Sequence, residues 1–172
     1  MCSLVKPDIW LKEKFTNMVS DYNDNNENIF SSDYLNTDFN FENYIQDLKD
    51  LSNGIGLSQG YVLSTEWWLI NSNSDILGTV RLRHELGKRN FEEGGHIGYD
   101  ISPRYRRKGY GKVILKLVLE KAKELGFEKV LVTCDFDNIG SKRIIESNGG
   151  KLENTIVSKE TGKEVLRYWI EL

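Results

Sequence analysis

Cysteine is scarce. Cys2 and Cys134 are the only two in 172 residues. One lies at a terminus that reads as loose and the other inside an apolar, strand-like run, so no disulfide framework is expected and a reducing, cytoplasmic setting fits. Long apolar runs are missing as well. None approaches the roughly 20 residues that a membrane-spanning helix needs, and MCSLVKPDIWLKEKF lacks the charged-then-apolar layout of a signal peptide. No membrane partner is expected. A basic excess is also absent: 23 Lys and Arg against 26 Asp and Glu give a net charge of −3, which argues against nucleic acid as a general partner. There is no internal repeat and no low-complexity tail, and no metal site is expected. What is present is the composition of an ordinary globular α/β protein, 39% hydrophobic and 28% charged.

Hydrophobic periodicity places the elements. Residues 8–23 carry an imperfect helical stripe of Ile9, Leu11, Phe15, Met18, Val19 and Tyr22 behind the capping Asp8. DYNDNNEN, residues 21–28, is too polar to pack and reads as a loop. A second helix spans residues 41–51, burying Phe41, Tyr44, Ile45 and Leu48. Strands follow at 64–71 and 76–86. Trp67 and Trp68 must face opposite sides, one in the core and the other a candidate wall of a pocket. Arg81, Arg83, His84 and Glu85 form a polar set at the end of the second strand, read either as ligand-facing groups or as surface salt bridges. GKRNFEEGG is a loop into a central strand, residues 96–101. A long helix then buries Val113, Ile114, Leu117, Val118, Ala122 and Leu125, and stops at Gly126. A strand at 129–134, a helix at 138–147 and strands at 151–158 and 164–171 complete the chain.

Between the central strand and the long helix lies Arg104-Tyr-Arg-Arg-Lys-Gly-Tyr-Gly111. Two glycines at a helix start let main-chain N–H groups approach an anion at the positive end of the helix dipole. The spacing fits neither a P-loop nor a dinucleotide fingerprint. Arg106-x-x-Gly109-x-Gly111 does match the Arg/Gln-x-x-Gly-x-Gly/Ala signature of the GNAT superfamily of N-acetyltransferases. The preceding strand, the long helix, the next strand and Asn138-x-x-Ser141 opening another helix follow in that family's order. GGHIGYDI, VLVTCDFDN and IIESNGG resemble a bacterial subgroup of its predicted acetyltransferases.

The resemblance implies a single domain over residues 1–172, with a core from about residue 60 and an acceptor-side helical region over about 8–52. It implies a mixed, mostly antiparallel sheet with a splayed parallel central pair, flanked by helices. It also implies acetyl transfer from acetyl-CoA to a small-molecule or peptide amine by direct attack, and admits a homodimer. The acidic loop at 21–28 would then be either an attractor for a cationic amine or a plain solvated loop. Main-chain N–H groups across Arg106, Arg107, Lys108, Gly109, Tyr110, Gly111 and Lys112 would hold the pyrophosphate, with Arg104, Arg107 or Lys108 meeting the adenosine phosphate. Ile101, flanked by Asp100 and Ser102, would pair with the pantetheine arm, and Asn138 and Ser141 would contact it.

An amine must lose a proton before it attacks, and Asp100, Glu85 and His96 are the base candidates, with His84 beside them. The tyrosine that usually assists thiolate departure is replaced by Ile145, which leaves Ser141, Tyr168 or Cys134 as proton donors, or unaided departure. Two other readings stand beside the enzyme: a non-catalytic acyl-CoA-binding module, and a nucleic-acid binder using the basic turn.

Overall fold

Seven consecutive residues decide the layering. Ser64–Ile70 (β2) is buried along its whole length, so the sheet that contains it must be covered on both faces. In the computed structural model, which describes residues 2–30 and 32–172, β2 belongs to a seven-stranded sheet of order β1-β2-β3-β4-β5-β7-β6. The other strands are Ser3–Val5 (β1), Ile76–Arg83 (β3), Ile97–Ile101 (β4), Lys129–Asp135 (β5), Lys151–Val157 (β6) and Glu164–Glu171 (β7). Every neighbouring pair is antiparallel except β4 and β5. The mixed, mostly antiparallel α/β class expected from the sequence is therefore the observed one.

Trp67 and Trp68 head the two cores. On one face, Trp68 gathers Lys12–Asp24 (α1) and Phe41–Asn53 (α2) through Leu11, Phe15, Tyr22, Phe41 and Ile45. Phe15 stacks on Trp68 with ring centres 5.2 Å apart. On the other, Trp67 joins Tyr110–Glu124 (α3) and Ile139–Ser147 (α4) through Ile114, Leu115, Val118 and Ile145. Both indoles are buried, and neither lines a cavity among the described residues; the expected pocket-walling tryptophan is thus a core residue.

Several local expectations shift. Cys2 is half-buried and leads into β1, an edge strand on β2 rather than a loose end. α1 extends to Asp24, four residues into the stretch read as loop, because Asp21 and Tyr22 are buried against the sheet side of the fold. Residues 90–94 form a π-type helical turn. In α3 the buried face is Gly111, Ile114, Leu115, Val118 and Ala122, whereas Val113 and Leu125 are exposed. Packing of α3 on α4 at Gly111 turns the helix toward that face.

The parallel pair is brief. Ile97 opposite Val132 is its one matched position. Just before it, the His96 N–H donates to the Leu131 carbonyl at 2.7 Å, and His96 Nδ1 accepts the Leu131 N–H at 2.8 Å. The imidazole thus stands in for a main-chain carbonyl and closes the ladder. This corrects the expectation of His96 as a base: the ring is buried, its Nδ1 lone pair is spent, and it packs edge-on against Phe127. Burial, helped by the Arg83 charge, lowers its pKa from 6.5 to about 4.

A group held neutral in this way stabilises the fold fully above its unfolded pKa, and that stability is lost as pH falls toward the folded value. The urea midpoint of the wild type is therefore expected to drop between pH 6.5 and about 4, and His96→Gln to show a flatter profile over that window. An equal slope in both proteins would assign the acid sensitivity to other groups.

Candidate active site

The turn from Ser102 to Gly109 is fixed from below by α1. Asp21, buried at 5% exposure, accepts the Ser102 hydroxyl, the Arg104 N–H at 2.9 Å and Arg104 Nε at 3.1 Å. Burial alone would raise its pKa, but these donors outweigh burial and hold the carboxyl below its usual value. Arg104 is therefore paired inside the fold, and it does not line the cleft that the turn borders.

Arg106, the first residue of the signature, also points inward. Its Nε donates to the Ile101 carbonyl at 2.7 Å, and its two terminal nitrogens fork onto Glu27 at 2.6 and 2.8 Å. A longer contact of 3.3 Å reaches Asp100, which also accepts the Tyr22 hydroxyl at 2.5 Å. Glu27, from the acidic loop read either as an attractor for an amine or as a plain solvated loop, is thus consumed in holding the end of β4.

Beyond the clamp the main chain opens. Arg107 has φ +59° and Gly109 +87°, so successive N–H groups turn toward one concave side, as in anion-binding nests. The Arg106 N–H is bonded to Pro103 and that of Lys112 to Gly109. Within the expected span of 106–112, this leaves the N–H groups from Arg107 to Gly111 without a main-chain acceptor among the described residues. A Cβ on Gly109 would meet nothing, so glycine serves the left-handed backbone there. A Cβ on Gly111 would lie 2.4 Å from Ile144 Cδ1, so the second glycine serves α3–α4 contact.

These residues line a cleft of about 570 Å³ that includes Ile101, Arg107, Tyr110, Lys112, Asn138 and Ser141. Asn138 caps α4 by accepting the Ser141 N–H at 3.0 Å. Lys108 lies over the Tyr105 ring, 5.5 Å from its centre, outside this lining.

The parting of β4 and β5 makes a second cavity, of about 300 Å³, lined by Gly98, Tyr99, Thr133, Cys134, Asn138 and Ser141 among others. The Ser102 N–H donates to Leu77 and the His96 carbonyl accepts from Arg83. Even-numbered residues of β4 therefore spend their main chain on β3, and odd-numbered ones turn theirs to the gap. Asp100 and Ser102, expected to flank the pantetheine arm, are thus turned away. With the Ile101 carbonyl taken by Arg106, the Tyr99 main chain and the Ile101 N–H remain for a ligand.

Tyr99 was not singled out from sequence. Its hydroxyl is buried beside Ser141 and makes no well-formed hydrogen bond, while burial pushes its pKa up to about 12. The alternation of β4 sets it on the face of Ile97 and Ile101, which packs into the core. Burial likewise pushes the Cys134 thiol up to about 11.

A third cavity, of about 360 Å³, lies beside the gap and is lined by Tyr61, Ser64, Arg81, Arg83, Glu93 and Gly94, among others. The three cavities adjoin. The first two share Tyr99, Asn138 and Ser141, and the last two share Glu93 and Gly94.

The remaining candidates lie elsewhere. Glu85 is exposed on the bend after β3. His84 Nε2 pairs with the Thr65 hydroxyl at 2.9 Å. Tyr168 donates to Glu146 at 3.3 Å on the α4 side of β7. None of the three lines these cavities. Ile145 is fully buried in the α3–α4 core.

Asp21→Asn keeps the size of the clamp and removes its charge. A loss of about 1–3 kcal/mol is expected in urea denaturation at neutral pH. A depressed folded pKa adds stability above the unfolded value of 3.8 and loses it as pH falls through the folded one. The gap between wild type and variant should therefore narrow below about pH 4.

Comparison with known proteins agrees with this geometry. The family model described as Acetyltransferase (GNAT) domain matches residues 21–151. An uncharacterized N-acetyltransferase, YnaD of Bacillus subtilis, is 26% identical over 86 residues. The match spans 49% of this chain and about half, 48%, of that relative. Two solved structures share the fold at 15% identity and 99% coverage of this chain. One is the microcin C7 self-immunity acetyltransferase MccE with acetyl-CoA and AMP, at TM-score 0.70 and 92% of its chain. The other is the ribosomal L7/L12 alpha-N-protein acetyltransferase RimL with coenzyme A, at TM-score 0.71 and 94% of its chain. A spermidine N-acetyltransferase SpeG chimera from Vibrio cholerae and hSSAT aligns at TM-score 0.62 with 14% identity, over 99% of this chain and 95% of its own. With a signature turn built as an anion nest, a parted strand pair beside it and a family match over most of its length, the chain belongs to the GNAT acetyltransferases.

Proposed function

We propose that the chain moves an acetyl group from acetyl-CoA to a primary amine by direct attack in a ternary complex, at the gap between β4 and β5. The observation that carries this reading is the adjacency of the three cavities, which share lining residues and so place a cofactor cleft and a second cavity on either side of the gap. The acceptor is a small-molecule or peptide amine; RimL and the SpeG chimera, named for a ribosomal protein and for spermidine, represent both sizes among the similar folds.

The residues present fit acetyl-CoA, which supplies a thioester carbonyl and a thiolate leaving group when bound. N–H groups from Arg107 to Gly111, at the positive end of α3, take the pyrophosphate, and Arg107 and Lys112 add charge. The Tyr99 main chain and the Ile101 N–H pair with the pantetheine arm, and a main-chain N–H on this stretch stabilises charge developing at the carbonyl oxygen. Of the three base candidates, only Asp100 lines a cavity. Burial raises its pKa while Tyr22 and Arg106 pull it back, and a raised carboxyl suits a group that must accept a proton from an amine.

Tyr99 takes the place left vacant by Ile145. A phenol near pKa 12 does not hand its proton to a thiolate of pKa near 8.5, so Tyr99 acts by hydrogen bonding to the departing sulfur.

Calorimetric titration with acetyl-CoA is expected to show one saturable site that weakens with added salt. Gly109→Ala, which forces a side chain into a left-handed position, should weaken it about tenfold or more; Gly111→Ala should be tolerated once Ile144 shifts. Undetectable binding to the wild type would remove the transferase reading. Tyr99→Phe should slow amine-dependent thiol release about tenfold with little change in acetyl-CoA affinity. Full turnover in that variant would mean that the thiolate leaves unaided.

A further inference from the structure

The acceptor-side cavity holds an arginine without a counter-ion. Three arginines line it. Arg81 is paired with Glu66 at 2.7 Å and Arg89 with Glu160 at 3.0 Å. Arg83 has no carboxylate within ion-pair distance among the described residues. The one acid left in the lining, Glu93, is turned to the Ser158 hydroxyl at 2.7 Å and the Lys159 N–H at 2.9 Å.

Arg83 is half-buried, and its Nη1 donates to the Gly94 and Gly95 carbonyls, each at 3.2 Å. Carbonyl dipoles orient a guanidinium but do not neutralise it, and its Nε and Nη2 have no hydrogen bond among the described residues. Burial together with the Arg81 and Arg89 charges makes the protonated form costlier than usual, yet a guanidinium remains charged at any working pH. A positive group held this way is stabilised by an anion that arrives with a ligand.

Position narrows the ligand. The point that a Cβ on Gly98 would occupy is 3.9 Å from Arg83 Nη1, and Gly98 lines the gap where the transfer is placed above. An anion on Arg83 and an amine at the gap are therefore only a few bonds apart.

We infer that the acceptor is a small amine carrying its own anionic group, a carboxylate or a phosphate, which Arg83 binds while the amine is presented to the gap between β4 and β5. This rests on the transferase reading and specifies its acceptor. It reverses the idea of a purely cationic acceptor drawn in by the acidic loop, whose Asp21 and Glu27 are committed to Arg104 and Arg106.

The test uses matched pairs, O-phosphoethanolamine against ethanolamine and β-alanine against β-alaninamide, added to the protein with and without saturating coenzyme A. The readout is the Arg83 side-chain Nε–H resonance, assigned by its absence in Arg83→Lys. A saturable shift with the member that carries the anionic group, about tenfold weaker or absent with the partner that lacks it, is expected. The stronger of the two anion-bearing probes names phosphate or carboxylate. The same preference should appear in thiol-release rates with acetyl-CoA, and Arg83→Gln should erase it. Should that variant fail to fold, Arg83→Lys, which keeps the charge and loses the fork, is expected to weaken it. An equal Arg83 response to the members with and without the anionic group, or a preference surviving in Arg83→Gln, overturns the proposal. Failure of coenzyme A to bind is a separate result: it removes the transferase reading, while the resonance in coenzyme-free protein still reports on the anion.

Discussion

Two parallel strands that part after one matched position leave main-chain groups in the middle of a sheet with no partner. Buried N–H and carbonyl groups without hydrogen bonds cost about as much as the bonds they lack, so the gap between β4 and β5 persists only because the ends of β4 are held by other means. At its start, His96 gives a ring nitrogen to the Leu131 N–H. At its end, Arg106 takes the Ile101 carbonyl and is itself forked onto Glu27. Between these two fastenings the odd-numbered residues face a gap that a ligand with amide groups can fill. The rest of the architecture frames that gap, with Trp67 and Trp68 anchoring a core on each face of the sheet.

What the sequence made legible is what depends on neighbours close along the chain. Hydrophobic period, helix caps and the Arg106-x-x-Gly109-x-Gly111 spacing are short-range features, and they located α2, α3, α4, the strands from β2 to β7 and the concave turn. Roles that depend on distant residues were misread. Arg106 looked like an anion ligand because a basic turn before a helix suggests one, but its partner Glu27 is 79 residues away. His96 looked like a base because it opens the central strand, and only the pairing with Leu131, 35 residues on, makes it a substitute carbonyl. β1, at three residues, is too short to show alternation.

Tyr99 and Arg83 illustrate the same limit from the other side. On β4, Tyr99 shares a face with Ile97 and Ile101 and is half-buried against the core. Its chemical interest comes from a hydroxyl lodged where the strand pair has opened, which depends on how β5 and α4 approach. Arg83 was grouped with Arg81, His84 and Glu85 as one polar set. The fold divides that set: Arg81 finds Glu66 across the β2–β3 ladder, His84 finds Thr65, Glu85 faces solvent, and Arg83 is left over the gap.

A net charge of −3 therefore says little about the surfaces that ligands meet. Acidic side chains near the site are spent as internal fastenings: Asp21 on Arg104 and Ser102, Glu27 on Arg106, Glu66 on Arg81, and Glu93 on the Ser158–Lys159 turn. The pairings with Arg104, Arg106 and Arg81 also fix cations that would otherwise compete for anions. The donors left over are the N–H groups from 107 to 111 at one end of the path and the Arg83 guanidinium at the other. On the proposals above, a cofactor with phosphates holds one end and an anionic acceptor the other, with the gap bordered by Gly98 and Tyr99 between them.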